Sequence, residues 1–451
     1  MSKRVNLLEG NILKALISMS LPIMATSLLQ MAYNMTDMIW IGRMGSNSVA
    51  AIGAAGMFVN LAGGLSAFAR VGGQVRVAQS YGGGEKQLAA TYARNAIQVG
   101  VLVALCYSIV VLIFFEPFIG FFRFTNQQVI LDAQNYLRCM GIFMIYNFIN
   151  PIFTALITAT GNSKTPFKIS TVGLVINMCL DPLFIFGLGP IPAMGVIGAA
   201  IATVIAQSVV CILYIRYLFK DKEVFRKMNF RKGPEQGIVK DIAVIGLPAS
   251  IQGIMFTGIS MVLGRIVASW GETAIAVQKV GIQVESISYM AADGFAAATN
   301  SFIAQNYGGN NMERAKKGYK TALGVMMIWG VLTTAILIFF PGPIFKVFIP
   351  QADILPLGMN YLIILGFSQF FMCIEILTAG AFSAYGKTLP PSIVSIVFTA
   401  MRIPLAMILG ATALGLNGVW WSISISSIVK GILLLTLFTV FMHKRGEKAH
   451  E

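Results

Sequence analysis

Long apolar runs dominate this chain, and short polar stretches separate them. A helix of roughly 20 apolar residues crosses the hydrocarbon core of a membrane. Alternation of apolar and polar residues is absent, which favours helices over a barrel. The pattern predicts an all-α polytopic membrane protein with twelve transmembrane helices, near residues 14–37, 49–69, 95–115, 133–159, 167–188, 195–219, 238–262, 274–300, 320–340, 356–384, 391–411 and 418–442.

The two halves of the chain repeat each other at an offset of 226 or 225 residues. The matches include Leu21-Pro22 with Leu247-Pro248, residues 78–83 with 304–309, Tyr136 with Tyr361, and Gly161 with Gly386. We therefore expect an N-terminal six-helix lobe (1–219), a linker (220–240) and a C-terminal six-helix lobe (241–451). Because six is even, both lobes share one orientation, and a cleft between such repeats is the usual site of alternating access in secondary transporters.

Composition and charge agree with a membrane protein. Of 451 residues, 56% are hydrophobic and 11% charged, and the net charge is +15. The basic residues fall mainly in the linker, in alternate loops and near both termini, whereas the loops 188–194 and 412–417 carry none. The positive-inside rule then places both termini and the linker in the cytoplasm, with the chain in the inner membrane. Nucleic-acid binding is disfavoured, because no basic stretch is interleaved with aromatic residues.

The sequence offers few side chains that could bind a cofactor or a metal ion. All five cysteines lie in apolar runs, and both histidines, His443 and His450, lie in the C-terminal tail. We expect small buried cysteines without disulfides, no structural or catalytic zinc and no cofactor. We also expect a monomer whose partners are membrane lipids and small molecules.

The acidic residues in the first and fifth predicted helices are the main candidates for chemistry. A charged side chain at the centre of a membrane costs about 2.5–3.5 kcal/mol, so Asp37 and Asp181 require a function or a partner. Asn177 lies four residues before Asp181 on the same helix face, and Pro182 frees backbone carbonyls beside it. We expect the two aspartates to share a proton or a cation. The alternative is that Asp37 caps its helix and Asp181 pairs with a basic residue.

The second half of the chain has no acidic residue at the positions that match Asp37 and Asp181 in the repeat. The repeat places Leu263, Arg402 and Ala406 at the positions of Asp37, Asn177 and Asp181. Instead, Glu285 and Glu375 lie within predicted helices of the second half. A functional role for each is as well supported as an ion pair with Lys279, Arg402 or Lys430, because buried charges are commonly paired.

Methionine and aromatic residues mark helices that we expect to border the cleft. Such side chains repack around varied apolar ligands, although each of them can equally face lipid or a neighbouring helix. The candidate substrate-contacting residues are Met24, Met31, Tyr33, Met57, Met255, Phe256 and Tyr289.

Two enzymatic interpretations fail on their motifs. The segment Gly386-Lys387-Thr388 resembles the end of a phosphate-binding loop, but Ala381 stands where the first glycine belongs. A Gly-x-Gly-Asp stretch, which an intramembrane aspartyl protease needs, is absent. We therefore do not expect an enzyme.

The chain resembles the multidrug and toxin extrusion (MATE) family over residues 12–440. The motifs are Leu21-Pro22, residues 37–42 (Asp-Met-Ile-Trp-Ile-Gly), Ala78-Gln79-x-Tyr-Gly82, residues 161–166 (Gly-Asn-Ser-Lys-Thr-Pro), Asn177-x-x-x-Asp181 and Gly195-Val-Ile-Gly198. The resemblance implies export of cationic or amphipathic drugs and toxins by antiport against inward H⁺ or Na⁺.

The resemblance also implies residue roles. An N-lobe cation site would consist of Asp37, Asn177, Asp181 and Thr203, and Na⁺ is the one metal ion it would hold. The NorM branch uses C-lobe acids that include one on helix seven, where this chain offers Gln252; Glu285 and Glu375 occupy comparable helices. The runner-up functions are a lipid-linked saccharide flippase and a membrane receptor or enzyme.

Overall fold

The structure, a computed structural model, describes residues 4–187, 192–349 and 351–447. Residues 188–191 of one cation-free loop, and His450, lie outside these ranges. The helices are α1 (Ile12–Arg43), α2 (Ser46–Gly82), α3 (Lys86–Gly120), α4 (Gln127–Ile142), α5 (Ile145–Ala159), α6 (Lys164–Phe186), α7 (Gly195–Lys220), α8 (Gln236–Ala268), α9 (Glu272–Gly308), α10 (Met312–Phe339), α11 (Pro341–Phe348), α12 (Leu355–Ala384), α13 (Leu389–Ala400), α14 (Arg402–Gly410) and α15 (Leu416–Glu447).

The helices account for the predicted membrane spans. Among the described residues, ten helical segments are long and apolar enough to cross a membrane, one of them α13 joined to α14. The pair α4 and α5, bent by 49°, makes an eleventh. The 37-residue α9 covers the predicted eighth span. The chain is a multi-pass membrane protein, and the all-α fold class predicted from the sequence is confirmed.

Contacts within the chain define two compact units. Unit 1 contains the described residues up to Val5 together with Ala25–Ser250, and unit 2 contains Asn6–Met24 together with the described residues from Ile251 onwards. The predicted lobes count whole helices, whereas these contacts divide α1 after Met24 and α8 after Ser250. Each division lies just beyond a proline of the repeat, Pro22 or Pro248, where the ring removes a helix hydrogen bond.

Within unit 1, α6 and α7 approach each other closely at Gly198. A Cβ atom at this position would lie 2.3 Å from the carbonyl oxygen of Phe184 in α6. Small residues permit this kind of backbone approach between membrane helices. The glycine that ends the Gly195-Val-Ile-Gly198 motif therefore sets the spacing of the two helices.

An ion-pair cluster fixes the start of the described chain to unit 1. Arg4 contacts Asp221 at 2.9 Å and Glu223 at 2.6 Å. Asp221 also accepts hydrogen bonds from the backbone N–H groups of Val224 and Phe225, at 3.3 and 3.2 Å. Burial alone would raise the pKa of the Glu223 carboxyl, but the positive charges of Arg4 and a neighbouring lysine outweigh burial and lower that pKa.

We expect Arg4→Ala to destabilise unit 1 by about 1–3 kcal/mol, because Asp221 is left buried without its charged partner. Thermal unfolding in detergent micelles measures the loss. The matched control is Lys222→Ala, because Lys222 is exposed and adjacent in sequence to both acids. An equal loss in both variants would contradict this account of the cluster.

We expect the contribution of Glu223 to the free energy of unfolding to decrease as the pH falls. A carboxyl group whose pKa is lower in the folded state than in the unfolded state stabilises the fold at any pH above its unfolded-state pKa. This stabilisation is lost as the pH falls through the folded-state pKa. The stability difference between the wild type and Glu223→Gln should therefore be constant near neutral pH and vanish in acid. Unfolding measured across this pH range tests the direction, and a difference that grows on acidification is the opposite outcome.

We expect Gly198→Ala to destabilise the protein by about 1–3 kcal/mol, because the new methyl group overlaps a backbone carbonyl of α6. Gly56→Ala in α2 is the control, since a Cβ there meets no atom within 4 Å. Thermal unfolding of the two variants side by side is the measurement. If the two melting temperatures agree, α6 and α7 are not held at this spacing.

Candidate functional site

The first member of the site, Asp37, lies inside α1 between Pro22 and the end of the helix at Arg43. Its side chain is half-buried. Tyr33 precedes it by four residues, and residues at this spacing share a helix face. The Tyr33 phenol and the Thr203 hydroxyl of α7 are hydrogen-bond partners. Asp37 and Tyr33 thus share one face of α1, and the phenol reaches α7.

The second part of the site is formed by α6. The Nδ2 group of Asn177 donates a hydrogen bond to Oδ1 of Asp181 at 2.8 Å. Asp181 has no exposed surface and Asn177 is 4% exposed. The second carboxyl oxygen, Oδ2, is buried and has no hydrogen-bond partner among the described residues. Pro182 follows directly and cannot donate the helix hydrogen bond to the carbonyl of Met178.

These residues form one cluster in unit 1. The charge of Asp37 acts on Asp181, and both carboxyl groups act on the phenol of Tyr33. Thr203 belongs to the cluster because it is hydrogen-bonded to Tyr33. Asn177 belongs to it because it is hydrogen-bonded to Asp181. The structure therefore brings together all four residues that the family resemblance singled out for a cation site.

A fifth residue of the cluster, Tyr136 of α4, was missed by the sequence reasoning. Its phenol is also within electrostatic reach of both Asp37 and Asp181. The signal was present, because Tyr136 matches Tyr361 in the repeat, and the Tyr361 hydroxyl donates to Oε2 of Glu285 at 3.5 Å. A tyrosine therefore adjoins a carboxylate in both halves.

Within the ranges that the structure describes, the two aspartates have no cationic partner. Among the described residues, the ion pairs include neither Asp37 nor Asp181. Asp37 also lies within the body of α1 and caps neither of its ends. The alternative of a capping aspartate and an ion-paired aspartate therefore lacks support. Two carboxylates in a medium of low dielectric constant cannot easily both stay ionised, so they favour a shared proton or a bound cation.

The donor set of this cluster fits a hard monovalent cation. Carboxylate, amide and hydroxyl oxygens are the ligands that hard cations prefer. Among the described residues, no group of three or more histidine, cysteine or acidic side chains has the arrangement of a metal site. The cluster thus offers oxygen ligands alone.

In unit 2 the buried acids have a different environment. Glu375 of α12 pairs with Lys430 of α15 at 2.8 Å, and their side chains are 12% and 5% exposed. The ion-pair alternative considered for Glu375 therefore applies, and Lys430 is its partner.

Glu285 of α9 is held mainly by neutral groups. Its Oε1 atom accepts a hydrogen bond from Nε2 of Gln369 at 3.0 Å, and its Oε2 atom accepts the long bond from Tyr361. The charge of Arg402 reaches Glu285, but the guanidinium donates to Ser426 and Ser427, at 3.1 and 3.0 Å. Within the described ranges, neither Glu285 nor Lys279 forms an ion pair.

Gln252 of α8 lies in a separate hydrogen bond. Its Oε1 atom accepts from the hydroxyl of Ser392 in α13 at 3.1 Å. In the described part of the chain, no hydrogen bond joins Gln252 to Glu285 or Glu375. A C-lobe site that combines these three residues stays a prediction.

The candidate substrate-contacting residues divide into two groups. Met57, Met255, Phe256 and Tyr289 are each 40–49% exposed, as residues facing lipid or a cavity must be. Met24 and Met31 are half-buried, and the Met24 backbone and side chain pack against Gly294 in α9. Tyr33 belongs to the aspartate cluster. The contact of these residues with substrate stays a prediction.

Comparison with known proteins supplies the family. The MatE family profile matches residues 22–183 and 248–408, one match in each half of the chain. A probable multidrug resistance protein NorM from Thermotoga maritima is 26% identical over 431 residues, which cover 94% of this chain and 92% of that protein. An FAD transporter from Shewanella oneidensis is 24% identical over 441 residues, or 96% of this chain and 95% of the relative.

A solved structure has the same fold. The crystal structure of MATE in the bent conformation superposes with a TM-score of 0.91 at 24% identity and covers 100% of both chains. The family match extends over more than half of the sequence, and the resemblance drawn from the motifs is confirmed. This chain therefore belongs to the multidrug and toxin extrusion (MATE) family of membrane transporters.

Proposed function

We propose that this protein is a secondary active antiporter that exports cationic or amphipathic drugs and toxins in exchange for inward H⁺ or Na⁺, by alternating access. The observation that carries the proposal is the pair of aspartates in unit 1. Asp37 and Asp181 lie together within apolar helices, no cation pairs with them among the described residues, and one oxygen of Asp181 has no partner.

The chemistry of ion binding follows from this geometry. The amide of Asn177 occupies Oδ1 of Asp181 and directs the free Oδ2 atom to the incoming ion. A proton on either carboxyl group allows the pair to share a hydrogen bond, and a sodium ion would be bound by both carboxylates. Tyr33 and Tyr136 then act as nearby hydrogen-bond donors to the charged form. Either ion removes the repulsion between two adjacent negative charges.

Helix α1 links this binding to a conformational change. Asp37 is on the part of α1 that belongs to unit 1, whereas the residues up to Met24, including Pro22, belong to unit 2. The missing hydrogen bond at Pro22 makes this point of the helix easy to bend. In our proposal, ion binding at Asp37 moves the C-terminal part of α1 towards α6 and changes the bend near Pro22.

The electrochemical gradient provides enough energy for export. One elementary charge that crosses a potential of 100 mV releases about 2.3 kcal/mol. At about 1.4 kcal/mol per tenfold concentration ratio, this supports accumulation on the order of 50-fold per ion. No cofactor or nucleotide is required, and the protein acts as a monomer in the inner membrane with both termini in the cytoplasm.

The charges favour a cationic or neutral substrate. No described residue supplies a cation to the aspartate cluster, whereas the buried Lys430 pairs with Glu375 and the charge of the buried Arg402 reaches Glu285. A lipid-linked saccharide flippase needs an uncompensated basic cavity for its pyrophosphate, and this pairing argues against one. The same reasoning separates this chain from its relative in Shewanella oneidensis, which is named as a transporter of FAD.

We expect Asp37→Asn and Asp181→Asn each to reduce ion-driven drug efflux by about tenfold or more, because a neutral amide cannot exchange a cation. Efflux of a panel of dyes from proteoliposomes, under separate Na⁺ and pH gradients, measures both the activity and the coupling ion. Asp353→Asn is the control, because Asp353 is exposed outside the membrane helices. Efflux and ion dependence that persist in both site variants would exclude the proposal.

For unit 2, we propose that Glu285 is the acid available for coupling or substrate contact and that the role of Glu375 is structural. Glu375→Gln should cost about 3–5 kcal/mol of stability, since it leaves Lys430 buried and unpaired. The additional change Lys430→Met should restore most of this loss. Glu285→Gln should cost less, because Gln369 and Tyr361 can bond to an amide. Thermal unfolding in detergent compares the stability losses of the two single variants. A larger loss in Glu285→Gln than in Glu375→Gln would contradict the proposal.

A further inference from the structure

The linker, residues 220–240, runs from the last residue of α7 into the start of α8 and is unusually rich in charge. It contains three acids, Asp221, Glu223 and Glu235. It also contains seven basic residues: Lys220, Lys222, Arg226, Lys227, Arg231, Lys232 and Lys240. Which of these charges are paired within the fold determines what the linker can bind.

Each acid of the linker is neutralised by a base from outside it. Asp221 pairs with Arg4 at 2.9 Å, and Glu223 pairs with Arg4 at 2.6 Å and with Lys86 at 3.4 Å. Glu235 pairs with Arg94 of α3. The negative charges of the linker are therefore satisfied by the body of unit 1.

The basic side chains of the linker, unlike its acids, are not paired with groups of the fold among the described residues. All seven are exposed, and within the described ranges none of them takes part in an ion pair. Phe230 lies in sequence between these cations with 49% of its surface exposed. The outer surface of the linker thus combines unpaired positive charge with an exposed aromatic ring.

The linker backbone is held in place by α3. Arg94 donates to the carbonyl of Asn229 at 3.3 Å, and Gln98 donates to the carbonyl of Lys232 at 2.8 Å. The Oδ1 atom of Asn95 accepts the backbone N–H of Glu235 at 2.7 Å. These bonds present the cations on a fixed surface, which lowers the entropy cost of binding to it.

A groove adjoins this surface. It has a volume of about 730 Å³, and its walls combine two lysines, Lys86 and Lys227, with two acids, Glu85 and Glu235, and with the apolar side chains of Leu88 and Ile238. Because the lysines and acids of these walls balance in number, the groove does not itself favour an anion, and the positive charge of this region lies on the exposed basic side chains of the linker. The linker also joins the end of α7 to the start of α8, so it lies where these two membrane helices leave the bilayer.

We propose that the linker is a binding surface for anionic lipid headgroups of the adjoining leaflet, with Phe230 inserted among the headgroups. Clusters of four to eight basic residues next to a membrane helix bind anionic lipids by electrostatic attraction. Here the pairing of all three acids with outside partners removes the local repulsion that would otherwise oppose an anion. This surface serves lipid binding and is separate from the aspartate cluster.

The test compares two triple variants of the full chain. Lys227→Gln, Arg231→Gln and Lys232→Gln together remove three charges from the linker. Lys316→Gln, Lys317→Gln and Lys320→Gln remove three charges from the start of α10, as a matched control. Each protein is reconstituted into vesicles of phosphatidylcholine with one fifth phosphatidylglycerol. Electron spin resonance of spin-labelled phosphatidylglycerol and phosphatidylcholine then gives the preference of the protein for the anionic lipid.

The wild type should prefer phosphatidylglycerol, and the linker variant should lose this preference by about twofold or more relative to the α10 variant. High salt should reduce the difference, because exposed charges are screened. The charge-preserving variant Lys227→Arg and Lys232→Arg should retain the preference, which separates loss of charge from loss of folding. Equal losses in the two triple variants, or a wild type with no preference, would overturn the proposal.

Discussion

The rest of the structure depends on one costly feature, the burial of Asp181 with no cationic partner in the described part of the chain. Its side chain has no exposed surface, Asn177 occupies one oxygen, and the other has no partner among the described residues. An ionised carboxylate is expensive in this environment, so the local fold must provide compensation or accept an ion. The proline after Asp181 and the contact of α7 at Gly198 shape the surroundings of this residue. In our proposal Asp37 turns this cost into a function, because two neighbouring carboxylates favour capture of a cation.

The two halves of the chain share an arrangement of helices but differ in the groups that surround their buried acids. In unit 1, Asp37 and Asp181 have no cationic partner among the described residues, whereas in unit 2 Lys430 pairs with Glu375 and the charge of Arg402 reaches Glu285. A pair of matching tyrosines, Tyr136 and Tyr361, adjoins acids in both units. The internal repeat accounts for the matching helices, and the charged residues that differ between the halves account for the different surroundings of their buried acids.

The sequence predicted much of this fold and part of the site. Apolar runs are long enough to locate the membrane helices, and a carboxylate inside such a run is visible without coordinates, as for Asp37. Spacing of four residues correctly placed Asn177 beside Asp181. Tertiary contacts were harder to predict, because the choice of Lys430 as partner of Glu375 depends on which helices are neighbours. For the same reason the sequence did not reveal Tyr136, nor the assignment of the start of α1 to unit 2.

The central claim is that Asp37 and Asp181 share one exchangeable cation. Infrared difference spectroscopy of the purified transporter measures this most directly, because a protonated carboxyl group absorbs apart from a carboxylate. We expect a carboxyl signal that titrates with pH in the wild type, is lost in Asp181→Asn and is altered in Asp37→Asn. The addition of Na⁺ should diminish the same signal if sodium is the coupling ion. A titrating signal that is identical in the wild type and both variants would contradict the account.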